Sequence, residues 1–484
     1  MSNLQLLFEE YWPHLALLLS IGFGSTAAIH AAMTKSDVRA AIAWVGVIIM
    51  SPLLGPLIYL IAGINRIRHD HITDQRNKSQ RQYTDNELAA PIDVGQLAAP
   101  QFASLNTLSS RISRFSLHTG NHIHILRGGD EAYPAMIAAI DAAERTIGLQ
   151  TYIFDNDAQG RQFVEALARA RQRGVEIRVL IDAIGAKYSR PAITWSLRRQ
   201  GIPYALFMTN PMGIRMPYAN LRSHRKILVV DGRIGFTGGM NIRESFVSTI
   251  AGSKADNDTH FQLEGPAVKQ LTAVFVHDWE FTTRECLPFK TWTRSEWSAP
   301  TPHVAARCIR SGPDRYVAST HSLLLGACAV AQHHIRIQSP YFLPDQVLLG
   351  AINTAARRGV IVDIVIPGQN NLRLVNYAMT AQLDEVLKAG CRVWRTSGNF
   401  NHSKLTTIDG AWTLIGSSNF DPRSLRLNFE LDMEVYSRHF ARQVEDLIDL
   451  EIAHAEAVTL ESLAAIPFRK RLRNKVIWLA SPYL

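Results

Sequence analysis

Cysteine is scarce in this chain: Cys286, Cys308, Cys328 and Cys391 are its four, and no two form a CxxC pair. That spacing suggests neither a disulfide framework nor a zinc site, and a reducing compartment fits it best. The marks of disorder are missing too, because 47% of the 484 residues are hydrophobic and only 19% charged, which is enough apolar material for more than one domain. The net charge of +9 suits a polyanionic partner, either nucleic acid or an anionic lipid surface, without choosing between them.

What the N-terminus lacks does choose. No Asp, Glu, Lys or Arg occurs in the 24 residues between Glu10 and Lys35, nor in the 26 between Arg39 and Arg66. Each stretch can cross a hydrocarbon core of roughly 30 Å as a helix. Backbone in lipid must satisfy its own hydrogen bonds, so residues 1–69 read as a two-helix transmembrane hairpin turning at TKSDVR. A cleaved signal peptide is disfavoured because nothing basic precedes the first run. Arg66, Arg68, Arg76, Lys78 and Arg81 follow the second run, which by the positive-inside rule directs the body of the protein to the cytoplasm. The polar, weakly patterned residues 70–119 read as a linker.

Beyond that point the sequence repeats itself. IGLQTYIFDND at 147–157 answers IRIQSPYFLPD at 335–345, and ALARARQRGVEIRVLID at 166–182 answers AINTAARRGVIVDIVIP at 351–367. Each pair reads strand, helix, strand, and each helix ends in an Arg-Gly step that suits a C-terminal cap (Arg173-Gly174, Arg358-Gly359). SHRKILVVDGRIGFTGGMN at 223–241 then answers NHSKLTTIDGAWTLIGSSN at 401–419. The expected fold class is α/β: two βαβ-rich halves, 120–300 and 301–484, packed as a pseudo-dimer around one shared site.

The third match carries the chemistry. Its spacing is HxKxxxxD, with His224, Lys226 and Asp231 in one copy and His402, Lys404 and Asp409 in the other; Asn241 and Asn419 stand 17 residues after each histidine. Residues two apart on a strand share a face, so an imidazole is held beside an ammonium. That pairing suits a phosphodiester: lysine and asparagine donate to the nonbridging oxygens while histidine acts as nucleophile or proton donor. Two lysines meeting the phosphate make a metal ion unnecessary, and the cluster lacks the spare carboxylates that Mg²⁺ prefers. A nucleophilic histidine needs a partner on its other ring nitrogen, and Asp258 and Glu430, at corresponding points of the two halves, are assigned that role. Asp231 and Asp409 are grouped with the catalytic residues, although an aspartate there is equally suited to holding a turn. Tyr152 and Tyr341 read at least as well as core or rim aromatics as they do as ligand contacts.

On these residues the sequence resembles the bacterial cardiolipin synthases of the phospholipase D superfamily, which is recognised by paired HxKxxxxD motifs. The likeness extends to YLIAGINRIR, NHIHILRGGDEAYPAM, DTHFQLEGPAV and SSNFDPRSLRLNFELDMEVYS. It implies two phospholipase D-like halves and a multi-pass protein of the inner membrane. It also implies a reaction joining two phosphatidylglycerol molecules into cardiolipin and glycerol, with no cofactor. Carried over, His224 would attack phosphorus and His402 would move the protons. Ser223, Asn257 and Asn401 depart from the family pattern, so phosphatidylethanolamine or another alcohol stays open as a substrate. The same histidine pair serves hydrolases and nucleases, but a membrane hairpin argues against a nucleic-acid substrate. RKRLRNKVIWLASPYL at 469–484 holds five basic residues with Trp478 and Tyr483, and is expected to lie on anionic head groups.

Overall fold

The computed structural model describes residues 3–35, 37–64, 76, 92–209, 221–294, 296–297, 300 and 303–481. Two compact units divide the chain, Met1–Arg68 and His69–Leu484. Arg66, Arg68, Lys78, Arg81 and Tyr483 lie outside the described residues.

In the first unit Asn3–Thr34 is one helix, within which His14–Thr34 is long and apolar enough to cross a membrane. The second apolar run departs from the expected second span. Val38–Met50 has only 13 residues, about 20 Å of helix at the usual rise. Ser51-Pro52 ends it, because proline has no N–H to donate and disfavours helical geometry in the residue before it. Leu54–Ile58 and the π-turn Tyr59–Gly63 then run back. Three contacts set their direction: Gly24 faces Pro52, His30 Nδ1 lies 2.8 Å from the Tyr59 hydroxyl, and the Lys35 ammonium donates to the Gly63 carbonyl. The run therefore doubles back to the level of Lys35. Gly55 permits the tight return, since a Cβ there would sit 2.5 Å from the Val47 carbonyl oxygen.

The second unit is built on one large sheet. The first repeat supplies β1 (His118–Arg127), β2 (Thr146–Thr151), β3 (Glu176–Asp182), β4 (Tyr204–Phe207), β5 (Arg222–Ser223), β6 (Ile227–Val230), β7 (Ile234–Gly238) and β8 (Thr259–Glu264). The second supplies β9 (Val304–Ser311), β10 (His334–Gln338), β11 (Ile361–Pro367), β12 (Arg392–Thr396), β13 (Leu405–Ile408), β14 (Trp412–Gly416), β15 (Asn428–Tyr436) and β16 (Ala455–Val458). The spatial order is β16-β12-β11-β10-β13-β14-β15-β9-β1-β8-β7-β6-β2-β3-β4, with β5 set against β15. Leaving out β5 and β16, the two ends match strand for strand inward to the β9–β1 contact. The sequence repeat is thus a pseudo-twofold in space.

Helices cover both faces, which is why β2, β6, β13, β14 and β15 are buried at every residue. Ala158–Gln172 and Gln346–Arg357 start on Asp157 and Asp345, whose carboxylates accept from the Gly160 N–H at 2.8 Å and the Leu348 N–H at 3.0 Å. Both end at the expected Arg-Gly step, with Gly174 and Gly359 in the left-handed region. The stretch read as a linker to residue 119 is already structured from Val94. Phe102–Ser113 is a helix whose Phe102 and Leu105 enter the core, while Ser109 donates to Glu434 at 2.9 Å. Its apolar residues recur at helical spacing (Phe102, Leu105, Leu108, Ile112), but the serines, threonine and asparagine between them masked the pattern.

Candidate active site

Each motif segment pairs with the opposite half. β5 runs parallel to β15, with Ser223 opposite Phe429, and the His224 N–H donates to the Phe429 carbonyl at 2.8 Å. At the equivalent place Asn401 bridges Asn257, and the His402 N–H donates to the Asn257 carbonyl at 2.7 Å. The residues after those acceptors are Glu430 and Asp258. Backbone pairing therefore delivers each histidine to the carboxylate of the other half: His224 Nδ1 lies 3.2 Å from Glu430 Oε2, and His402 Nδ1 lies 2.9 Å from Asp258 Oδ2.

Those contacts set the tautomer. The neighbours of His224 Nδ1 are a carboxylate and the Ser417 carbonyl at 3.3 Å, both acceptors, so Nδ1 carries the proton and Nε2 carries the lone pair. Burial lowers the His224 pKa against the pull of Glu430. Burial alone would raise Glu430, but His224, Lys226 and Ser417 outweigh it and hold the carboxyl below its ordinary value. Asp258 is likewise held down by Lys404 and His402 against burial. His402 is pushed down to about 3 by burial and then by Lys404, whose Nζ lies 2.8 Å from the same Nδ1.

The two lysines share this buried space. Lys226 Nζ donates to the His224 carbonyl at 2.6 Å, and Lys404 Nζ donates to the His402 carbonyl. Burial lowers Lys226 to about 7 and Lys404 to about 8; Lys404 also lowers Lys226, and each lysine lowers the other half's histidine. The Asn241 carboxamide oxygen accepts from the Ile153 N–H at 3.0 Å, which leaves its NH₂ as the free end. Asn419 is buried beside Ser424, which accepts from its backbone N–H at 2.9 Å. Tyr152 and Tyr341 border the histidines, with ring centres 5.1 Å from His224 and 6.1 Å from His402.

Asp231 and Asp409 are not part of this cluster, which corrects their grouping with the catalytic residues. Each lies seven positions along extended chain from its histidine, roughly 20 Å. Each opens an Asp-Gly pair with both residues in the left-handed region, the geometry of a tight hairpin turn. The Asp231 carboxylate accepts the N–H groups of Glu144, Arg145 and Thr146 at 2.8–3.0 Å; that of Asp409 accepts those of Gln332, His333 and His334 at 2.8–2.9 Å. They pin the start of β2 and β10. Asp231→Ala is expected to cost about 3 kcal/mol of stability by orphaning three donors, while the folded fraction keeps its turnover. Denaturant melts and per-folded-molecule rates check this; a normal melt with lost turnover would return the aspartate to the chemistry.

The family description "Cardiolipin synthase, PLD-like domain" matches residues 136–279 and 324–450, the two halves that carry these motifs, and "Phospholipase D-nuclease N-terminal" matches 25–63. The chain belongs to the cardiolipin synthase family of phospholipase D-like proteins. It is 32% identical over 485 residues to cardiolipin synthase A of Pseudomonas fluorescens (98% of this chain, 100% of the relative). It is 30% identical over 449 residues to cardiolipin synthase of Geobacillus kaustophilus (92% and 88%). Among solved structures, the phosphatidylserine synthase of Haemophilus influenzae shares the fold, with a TM-score of 0.58 at 17% identity over 75% of this chain and 95% of that one.

For this cardiolipin synthase family member the structure adds residues that motif reading missed. Arg225 points away from His224 and Lys226 into the core, donating to both Asp278 oxygens at 2.8 and 2.7 Å, to the Glu430 carbonyl and to the Ser311 carbonyl, each at 3.0 Å. It ties the motif segment to β15 and β9. The available signal was alternation itself: a charged residue between two site residues on a strand must face the interior and needs a buried partner. Ser417 and Ser424 each donate to Glu430 at 2.6 Å and orient it. The departing Ser223 accepts from Gln150 at 2.8 Å, and Asn401 donates to Glu451 at 2.9 Å; both are structural contacts.

The lysines set a pH dependence. With ammonium groups near 7 and 8 in the free protein, raising the pH removes the positive charge that this site can offer to an anion. The kcat/KM of this synthase family member is therefore expected to fall as pH rises through that window, and less steeply for kcat, because a bound anion raises both lysines. A kcat/KM that stays flat to about pH 9 would contradict the assignment.

Proposed function

We propose that the protein is a membrane-bound phosphatidyltransferase that converts two phosphatidylglycerol molecules into cardiolipin and glycerol through a covalent phosphatidyl-histidine. One observation carries this reading: each histidine, His402 buried and His224 part-buried, stands beside a buried lysine, with its Nδ1 held by a carboxylate of the opposite half. His224 Nε2 attacks phosphorus, forming a P–N bond as the P–O bond to the glycerol head group breaks, and His402 passes a proton to the leaving oxygen. The substrate phosphate supplies the negative charge that lets His402 hold that proton. The hydroxyl of a second phosphatidylglycerol then gives its proton to His402 and forms a new P–O bond as the P–N bond breaks. Lys226, Lys404, Asn241 and Asn419 meet the nonbridging oxygens, and Asp258 and Glu430 orient the histidines. Purified protein in detergent with labelled phosphatidylglycerol should yield cardiolipin and glycerol on thin-layer chromatography, also in the presence of EDTA. Phosphatidic acid as the main product would make it a hydrolase instead.

We infer a membrane arrangement with one crossing in place of the expected hairpin of two spans, and the returning run supports it. His14–Thr34 crosses once, and Val38–Gly63 dips in and comes back to the side of Lys35. Lys35 and Arg39 then lie on the side to which the run returns, and the positive-inside rule, with Arg66 and Arg68 next in the sequence, makes that side cytoplasmic and the catalytic body that follows with it. A cysteine replacing Ser2 should react with a membrane-impermeant maleimide in intact spheroplasts. Reaction only after lysis would restore two spans.

A further inference from the structure

The C-terminal helix, Phe468–Trp478, has two opposite faces. Asn474 is buried, and Ile477 and Trp478 pack on the core of the second half. On the other side Phe468, Leu472, Val476 and Leu479 are 68, 52, 58 and 72% exposed. At 100° per residue these four fall within about 80° of arc. Arg469 and Arg473 border that stripe on one flank, Arg471 and Lys475 on the other, and all are exposed. A solvated basic tail needs no such stripe. An apolar strip opposite the packing face with cations along both edges has the form of a helix that lies in the head-group plane of an anionic bilayer.

The place of this helix in the fold ties it to the catalytic mouth. The Arg473 guanidinium lies 3.6 Å over the ring of Tyr377, in the helix Arg373–Thr380. Leu372 at the start of that helix and Leu374 in its first turn are 48 and 53% exposed, and Asn371 in the loop before it accepts a hydrogen bond from Tyr341 at 2.7 Å. Tyr341 borders His402. In the first half Tyr188, 56% exposed, lies edge-on to Tyr152, which borders His224, and the helix Ile193–Arg199 that follows presents Trp195, 55% exposed, with Arg199 5.5 Å over its ring. Exposed apolar side chains beside cations thus occur on both sides of the histidine pair.

We infer that the helix 468–478 docks on the anionic leaflet with Phe468, Leu472, Val476 and Leu479 below the head groups, seating the catalytic mouth on the surface from which a lipid phosphate would enter. The docking surface is independent of which reaction follows. In full-length protein with exposed Cys286 replaced by serine (the other cysteines are buried), nitroxides are placed at Leu472→Cys and at Lys470→Cys, about 160° around the helix from the stripe. Relaxation by oxygen and by a water-soluble nickel complex is then measured after reconstitution into vesicles. Position 472 should favour oxygen in phosphatidylglycerol and turn aqueous in phosphatidylcholine or at about 1 M salt, with 470 aqueous throughout. The double variant Leu472→Glu, Val476→Glu should lose at least about tenfold in turnover of vesicle phosphatidylglycerol and stay within about twofold on a dispersed short-chain analogue. An aqueous position 472 in phosphatidylglycerol overturns the inference, as does oxygen contact that grows with protein density at fixed lipid, which would assign the stripe to a second copy. Hydrolysis in place of transfer would overturn the proposed reaction and leave the accessibility result standing.

Discussion

Replacing either His224 or His402 by asparagine is expected to lower turnover at least about 10⁴-fold, with the fold unchanged. Both losses should be large because in the proposed mechanism the two residues act as a unit: one would make the bond to phosphorus, and without the other no proton would reach the leaving oxygen. The double variant should then be scarcely slower than either single one, since residues that act together are not additive. His224 and His402 are held by symmetric contacts, to Phe429 and Glu430 in one case and to Asn257 and Asp258 in the other, so neither is a spectator. Steady-state rates on labelled phosphatidylglycerol, with circular dichroism as the folding control, check this. Full activity in either single variant would dismantle the shared site.

The second large effect is electrostatic. Lys226→Ala and Lys404→Ala should each cost about 10²- to 10³-fold in kcat, the usual loss when a preorganised donor to transition-state charge is removed from a water-poor site. Both side chains are buried, at 2% and 5% exposure, where a charge interaction is screened little. Arginine should rescue poorly, because a planar fork does not fit the compact space where each ammonium reaches the carbonyl of its own histidine. A loss in KM alone would mean that the lysines bind the ground state and the transition state equally.

Much of this site was legible in the sequence because its signal is local and doubled. HxK on a strand sets two side chains on one face wherever the strand lies, and a repeat with the same spacing says that the arrangement occurs twice. Asp258 and Glu430 were found by matching positions between halves. What could not be read is that each serves the other half's histidine, because that exchange depends on β5 meeting β15 and Asn257 meeting Asn401, pairings between segments far apart in sequence. Arg225 was passed over for the same reason: its partners Asp278, Glu430 and Ser311 are brought together only by folding. Asp231 and Asp409 show the opposite error. Regular spacing within a motif was taken as shared chemistry, whereas the spacing is the length of a strand plus its hairpin turn.

At the N-terminus, composition was read correctly and geometry was not. Twenty-six residues without charge satisfy a length criterion for a span, yet Pro52 and Gly55 interrupt them. A proline that ends a helix and a glycine that allows close return turn the same apolar run back on itself. In the stretch 102–113 the serines and asparagine hid a helix of ordinary amphipathic spacing, since polar residues on its outer face outnumber the apolar ones that pack inward.

The most direct test of the central claim is to trap the covalent intermediate. His402→Asn protein is incubated with phosphatidylglycerol labelled in its phosphatidyl group, quenched in denaturant, digested and mapped by mass spectrometry. The account predicts a phosphatidyl adduct on His224 of the His402→Asn protein and none on the His224→Asn protein treated alike. Label on His402 of the His224→Asn protein would exchange the two roles, and no adduct on any histidine of either protein would contradict the mechanism.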